Sequence, residues 1–117
     1  MTKDDTTFTD AEVRYLSERR LGRIATVGKD GTPHVAPVGW SFQREDGTIE
    51  VGGRNFAQSK KYRDVARSGR AAIVVDDLAS LDPWGPRGIE VRGPAEVLDD
   101  PPRIRIHPGR VVSWGLE

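Results

Sequence analysis

Residues 54 to 63, Arg-Asn-Phe-Ala-Gln-Ser-Lys-Lys-Tyr-Arg, crowd several anion-binding groups into one short segment. Gly52 and Gly53 precede it as a sharp exit from a strand. A helix is predicted from about Ser59 to Arg67, with Tyr62, Val65 and Ala66 on one face at i, i+3, i+4. The first turn of a helix leaves backbone N–H groups unpaired and carries the positive end of the dipole, so an anion is favoured there. The same dipole disfavours lysine. Lys60 and Lys61 therefore make sense opposite an anionic group, with Ser59 and Arg54 beside it. A serine N-cap followed by two solvated lysines accounts for the same residues, and the residues alone leave both readings open.

Two further features could meet a planar ligand. Three tryptophans, Trp40, Trp84 and Trp114, are many for a small polar chain. Trp84 stands in Asp-Pro-Trp-Gly-Pro, where stacking on a flat molecule or burial at an interface is more natural than a place in the core. Trp40 and Trp114 fit ordinary packing as well. In Pro37-Val38-Gly39-Trp40, a glycine within a strand weakens pairing unless a backbone or ligand comes close. A flat ring lying along the strand explains Gly39, and so does a simple bulge.

Other chemistries lack their residues. No cysteine is present, which excludes disulfides, thiolate metal sites and cysteine nucleophiles together. No dinucleotide-binding glycine fingerprint, P-loop or serine nucleophile elbow occurs. His34 and His107 are far apart and have no cysteine partners, so no metal site is expected. Asp76-Asp77 and Asp99-Asp100 are read as turn residues rather than catalytic pairs.

The elements that must position these residues are mostly strands. Thr9-Asp10-Ala11-Glu12 is a capping box that opens an N-terminal helix of about residues 9–21, marked by Val13, Leu16 and Arg20. Gly22 to Val27, Thr32 to Phe42 and Thr48 to Val51 read as a meander joined at Lys29-Asp30-Gly31 and Glu45-Asp46-Gly47. Pro33 and Pro37 mark the second strand as an edge or bulged strand. After the helix come a buried strand, Arg70 to Val75, and a loop, Asp76 to Pro86. A fifth strand, Gly88 to Leu98, a turn, Asp99 to Pro102, and a sixth strand, Arg103 to Trp114, broken at Pro108, complete the chain. Six strands, two short helices and no βαβ alternation predict a mainly β fold, a small antiparallel barrel.

Length and charge set the outer limits. The 117 residues fit one domain, 1–117. With 18 basic and 18 acidic residues the net charge is zero, against a general nucleic-acid or membrane-surface binder. No apolar run approaches the roughly 20 residues of a membrane span. Met1 to Asp10 is polar without a signal-peptide pattern, so a cytoplasmic protein is expected.

Several segments, taken in order, resemble the pyridoxamine 5′-phosphate oxidase-like superfamily, and within it the flavin/deazaflavin (F420-dependent) oxidoreductases. They are Gly22-Arg-Ile-Ala-Thr-Val27, Asp30-Gly-Thr-Pro-His-Val-Ala-Pro-Val38, Ser59-Lys-Lys-Tyr-Arg63, Ala72-Ile-Val-Val-Asp-Asp77, Arg87 to Glu96 and Ile106 to Gly115. The likeness runs from about Thr9 to Glu117. It implies a six-stranded split barrel with an FMN-binding-type fold, and a homodimer with two cofactor sites between subunits. Ser59, Lys60 and Lys61 would bind cofactor phosphate, and Arg54 would sit beside the phosphate or an acidic tail. Val38, Gly39 and Trp40 would lie along the ring. Trp84, Arg87 and Trp114 would approach from the loop and barrel rim, from the same or the partner chain. Asp99-Asp-Pro-Pro102 departs from the pattern by joining its strands more tightly.

The implied cofactor is coenzyme F420, a hydride carrier, acting on a small conjugated organic substrate. No catalytic acid or base is nominated, because the ring chemistry belongs to the cofactor. His34 would qualify as a proton donor only by facing the pocket. Two rivals stand beside this reading: an FMN-dependent oxidase or reductase on the same fold, and a non-catalytic module that carries the cofactor or heme. FMN ends in one phosphate. The oligoglutamate tail of F420 needs further cations, such as Arg54 and Arg63.

Overall fold

The structure is a computed structural model that describes residues 6–116. The reading of Met1 to Asp5 and of Glu117 falls outside them. The capping box forms as expected: Thr9 N donates to Glu12 Oε1 at 2.8 Å, and Glu12 N to Thr9 Oγ1 at 3.1 Å. The helix it opens, α1 (Asp10–Ser17), is shorter than predicted. Arg19 and Arg20 lie beyond it. Arg19 instead reaches Asp77, and Leu21 already pairs with Gly39.

β1 (Leu21–Val27), β2 (Pro33–Gln43) and β3 (Thr48–Gly52) form the antiparallel meander. A 3-10 turn (Phe56–Gln58) and α2 (Lys60–Ser68) follow, and Gly69 ends α2 in the left-handed conformation, φ 72°. Then come β4 (Arg70–Ser80), β5 (Gly85–Asp99), β6 (Pro102–Ile106) and β7 (Arg110–Trp114). The spatial order β4-β1-β2-β3-β6-β5, with β5 pairing back to β4, closes a six-stranded antiparallel barrel.

The seventh strand continues the sixth. Ala95 faces Ile106 and Arg92 faces Arg110, so three steps along β5 meet four along its partner. The extra residue falls at His107–Gly109, where Pro108 offers no N–H. The ladder resumes on both sides of it, from His107 N to Pro94 O and from Gly109 N to Arg92 O, each 2.8 Å. Gly93 permits this crossing, since a Cβ there would stand 2.2 Å from the His107 oxygen.

Two expectations change. The predicted loop Asp76 to Pro86 is mostly strand: β4 and β5 run on as a two-stranded ribbon, with Asp76 facing Gly88, Asp77 facing Arg87 and Leu78 facing Pro86. Its polar and proline-rich sequence reads as loop because the ribbon leaves the barrel and buries little. β2, expected at an edge, lies between β1 and β3. It pairs with β1 over residues 33–39 but with β3 only over 39–43, so residues 33–38 keep one free edge. Both prolines sit in that half.

The core fills the barrel. Ile24, Ile49, Val51, Ile73, Val75, Ile89, Val91, Ile104 and Ile106 are each at most 1% exposed. Burying each contributes about 1.5–3 kcal/mol. They stand at alternate strand positions, so the barrel fixes which strand residues face outward and which edge stays free. Among the described residues, no helix is long and apolar enough to cross a membrane.

Candidate functional site

The free edge of β2 faces the start of α2. Two openings follow one another along β2, the first on this free edge and the second just past it, where β2 pairs with β3. The first, about 210 Å³, lies between His34, Val35 and Ala36 of β2 and Lys60 and Lys61 of α2. The second, about 530 Å³, lies where Gly39, Trp40 and Ser41 meet Gly53, Asn55 and Phe56. A Cβ on Gly39 would meet nothing within 4 Å. Crowding in this chain therefore does not explain that glycine, and the space over it is open for a flat molecule.

Local sequence builds the start of α2. The chain leaves β3 through Asn55, whose φ of 51° is left-handed, a conformation asparagine tolerates better than most residues. Ser59 caps α2: its Oγ accepts from Tyr62 N at 3.4 Å and donates to Phe56 O at 2.6 Å. The serine N–H also goes to Phe56 O, at 3.0 Å. Ser59 thus shapes the helix start and has no free donor to offer. The available donors are the backbone N–H groups and ammoniums of Lys60 and Lys61, at the positions a helix leaves unpaired. Lys61 Nζ lies 5.3 Å from the Phe56 ring centre. Arg54 is exposed and, among the described residues, makes no ion pair. Arg63 is turned to the Gln58 oxygen at 2.8 Å.

Beneath this start lies a carboxylate that the sequence reading passed over. Asp64 is 1% exposed. It accepts from Thr26 Oγ1 at 2.9 Å and lies 3.2 Å from His34 Nδ1. Lys60 Nζ stands 3.6 Å away and an Arg67 nitrogen 3.7 Å. Burial alone pushes the carboxyl up. The Thr26 hydroxyl, Lys60 and His34 outweigh it and hold the group below its ordinary value. Asp64 ties α2 to β1 and β2 and fixes Lys60 and His34 side by side. The i, i+4 spacing of Lys60 and Asp64 was the signal in the sequence.

The remaining predicted residues are placed differently. Val38 is buried, 6% exposed, and turns its side chain into the core. Trp40 is partly buried and lines the larger opening. Trp84, 69% exposed, stands at the ribbon tip, and Trp114 packs across Gly88 at the ribbon base. Arg87 grips Asp77 with two bonds, 2.8 and 3.1 Å. Asp77 also accepts from Tyr15 Oη at 2.7 Å and Arg19 at 3.2 Å. Arg87 above all, then Tyr15 and Arg19, hold the Asp77 carboxyl well below the usual range despite some burial. The structure thus brings Gly39 and Trp40 to the larger opening and Lys60 and Lys61 to the smaller one; Arg54 and Ser59 belong to the segment that joins them but line neither. Trp84, Arg87 and Trp114 lie apart and line neither opening. Among the described residues, no group of three or more His, Cys, Asp or Glu could hold a metal ion.

Comparison with known proteins agrees with this architecture. The chain is 42% identical over 120 residues to a 5a,11a-dehydrotetracycline/5a,11a-dehydrooxytetracycline reductase of Streptomyces rimosus, covering 94% of this chain and 84% of that protein. It is 32% identical over 108 residues to an F420H2-dependent biliverdin reductase of Mycobacterium tuberculosis, covering 90% and 70%. A crystal structure of a conserved hypothetical protein from M. tuberculosis superposes with a TM-score of 0.75 at 22% identity, over 98% of this chain and 89% of that one. The pyridoxamine 5′-phosphate oxidase family matches residues 8–107, which take in the barrel meander, the Asp64-braced start of α2 and both openings along β2, and the chain belongs to that family.

Proposed function

We propose that the protein is an oxidoreductase that binds coenzyme F420 along β2 and reduces a small conjugated organic molecule. The observation that carries this reading is the open space over Gly39, followed along β2 by the opening at the cationic start of α2. The groups present fit such a cofactor. A planar ring can lie against the backbone at Gly39 and Trp40, and a phosphate can take the N–H groups and ammoniums of Lys60 and Lys61. Arg54, with no ion-pair partner among the described residues, can meet an acidic tail. The two reductase relatives, one of them named for F420H2, support the same assignment.

The deazaflavin, when bound, supplies hydride transfer. The chain's own residues do the rest. Asp64 keeps Lys60 oriented, the β2 edge aligns the ring, and Trp40 and Phe56 exclude water from one side. The test is titration of F420 and of FMN against tryptophan fluorescence. Tighter F420 binding is expected. Tighter FMN binding at every salt concentration would move the FMN-dependent alternative into first place.

We also propose that two copies associate. Leu21 and Val35, 60% and 71% exposed, stand outward on paired strands, and Leu81 and Trp84 of the ribbon are 75% and 69% exposed. A second copy covering them would bring Trp84 and Trp114 toward the other subunit's openings, with Arg87 still held by its own Asp77. Light scattering at micromolar concentration should report a dimer. Monomer alone, with cofactor present, would sink this part of the reading.

A further inference from the structure

His34 stands where two openings meet. It lines the smaller opening with Lys60 and Lys61, and a further one, about 640 Å³, with Lys60, Lys29, Asp30 and Thr32. Its ring is held from two directions. Nδ1 lies 3.2 Å from the buried Asp64 carboxylate. Cε1 lies over Gly28, where a Cβ would stand 2.6 Å from it, so a side chain at residue 28 would displace the ring. His107 is placed otherwise: its Nε2 meets Glu96 in a pair whose side chains are 46% and 47% exposed, an ordinary surface contact.

Asp64 settles the tautomer of His34. Its carboxyl is held below the ordinary value, so at neutral pH it is ionised and can only accept. The Thr26 hydroxyl donates to one of its oxygens, and Nδ1 faces that same oxygen, so Nδ1 carries a hydrogen. Nε2 is the uncommitted nitrogen, without a partner among the described residues. With Nδ1 on Asp64 and Cε1 on Gly28, the exposed third of the side chain is its Nε2 edge. Five residues of β2, about 17 Å, separate His34 from Gly39. It therefore cannot be the proton donor to a ring over Gly39. It serves the end where Lys60 and Lys61 stand.

We propose that His34 is a cofactor-binding residue whose Nε2, once protonated, donates to the cofactor phosphate beside Lys60 and Lys61, so that binding takes up a proton from solvent. This role rests on the function proposed above. A neutral Nε2 turns a lone pair toward a phosphate oxygen, and a protonated one is a donor. The charged groups around the ring are Asp64, Lys60 and Lys61 of α2 and Lys29 and Asp30 of the β1–β2 turn, with Arg67 beyond Asp64. A phosphate arriving among them adds negative charge beside the ring and favours the imidazolium. By linkage the imidazolium favours the phosphate equally.

The experiment titrates the full chain and its His34→Asn variant with whichever of F420 and FMN binds, at about pH 6 and about pH 8, either side of the usual histidine range. Asparagine keeps a donor toward Asp64 and lacks Nε2. Any proton that the cofactor itself exchanges is common to both proteins, so their difference isolates the protein's own. At the lower pH the variant should bind roughly tenfold more weakly than wild type, the scale of one hydrogen bond to a charged group. At the higher pH the gap should shrink to about twofold or less, because a neutral ring offers no donor at Nε2. If His34→Asn folds poorly, nitrogen NMR of the wild-type imidazole decides. Free protein at the higher pH should show a hydrogen on Nδ1 and a bare Nε2, and saturating cofactor near neutral pH should raise the protonated share of Nε2. A ring that only braces Asp64 gives the same signal with and without cofactor. That result, or a gap in a folded variant that is absent or equal at both pH values, would overturn the proposal and leave the cofactor assignment standing. If neither F420 nor FMN binds, the function proposed above fails and this role with it.

Discussion

The two ends of the molecule treat charge in opposite ways. At the ribbon end, Asp77 is held by Arg87, Arg19 and Tyr15, and Arg87 is in turn consumed by that one carboxylate. At the β2 edge, Lys61 and Arg54 have no carboxylate partner among the described residues, and the buried Asp64 offsets only part of the charge around it. A network that satisfies itself braces the fold. One left with surplus donors is arranged for something that arrives later. The contrast separates Arg87, which the resemblance would place at a ligand but which Asp77 consumes, from Lys61, which has no carboxylate partner among the described residues, and Lys60, which only stands 3.6 Å from Asp64.

Substitutions can break this contrast. The largest effect should come from Asp64→Ala. It strips the buried Thr26 hydroxyl of its acceptor and removes the group that ties α2 to β1 and β2. An expected loss of about 2–3 kcal/mol in unfolding free energy, measured in urea, follows from leaving such groups unsatisfied. Cofactor affinity should fall with it, because Lys60 loses its brace. Stability equal to wild type would mean that the Asp64 cluster is incidental.

Lys60→Ala tests the open end from the other side. Cofactor binding should weaken by about 1.5–3 kcal/mol, the scale of one hydrogen bond to a charged group, or ten- to a hundredfold in Kd. Lys61→Ala should do less. Unfolding should change little, because the Lys60 ammonium is half-exposed. If both variants keep wild-type affinity with the fold intact, the phosphate lies elsewhere.

How much of this was legible beforehand follows the same division. The alternation of Ile24, Ile49, Val51, Ile73 and Val91 specifies barrel strands because a buried face imposes a period of two. The capping box and Gly69 mark helix ends by local hydrogen bonding, and these needed no tertiary knowledge. The ribbon past Val75 was missed because its strands hold each other by main-chain pairing and by Asp77 to Arg87, without a buried apolar face to write a pattern. Asp64 was missed for a different reason. Its partners Thr26 and His34 are 38 and 30 residues away, and only folding brings them together. The open edge of β2 was half-legible: Pro33 and Pro37 announced an edge, but which half of the strand stays unpaired depends on where β3 ends.

Acid should sharpen the contrast at the ribbon end. Asp77 has a folded pKa depressed by its partners, and so does Asp64. A carboxylate of this kind contributes stability that is fully present above the unfolded value near 4 and is lost as pH falls below it. Wild-type unfolding free energy should therefore drop between about pH 5 and pH 2. Asp77→Asn should flatten part of that slope and cost about 1 kcal/mol at pH 7, since the group is a third exposed and screened. It should leave cofactor affinity unchanged. A Kd that moved with Asp77→Asn would join the two ends and dissolve the distinction.

The smallest effect concerns the identity of the cofactor. FMN and F420 share a phosphate, so the start of α2 cannot by itself tell them apart. The oligoglutamate tail of F420 adds carboxylates that must find cations. Arg54 is exposed and has no ion-pair partner among the described residues, whereas the guanidinium of Arg63 is partly spent on the Gln58 oxygen. Tail contacts at such exposed groups are worth tenths of a kcal/mol to about 1 kcal/mol each and are screened by salt. F420 should therefore bind more tightly than FMN at low ionic strength, and the margin should shrink as salt rises, because FMN lacks the screened contacts. Arg54→Gln should narrow the low-salt margin by about two- to fivefold while leaving FMN affinity as it was. Were the margin insensitive to both salt and Arg54→Gln, the preference would have to come from the ring, and the space over Gly39 rather than the free cations would select the cofactor.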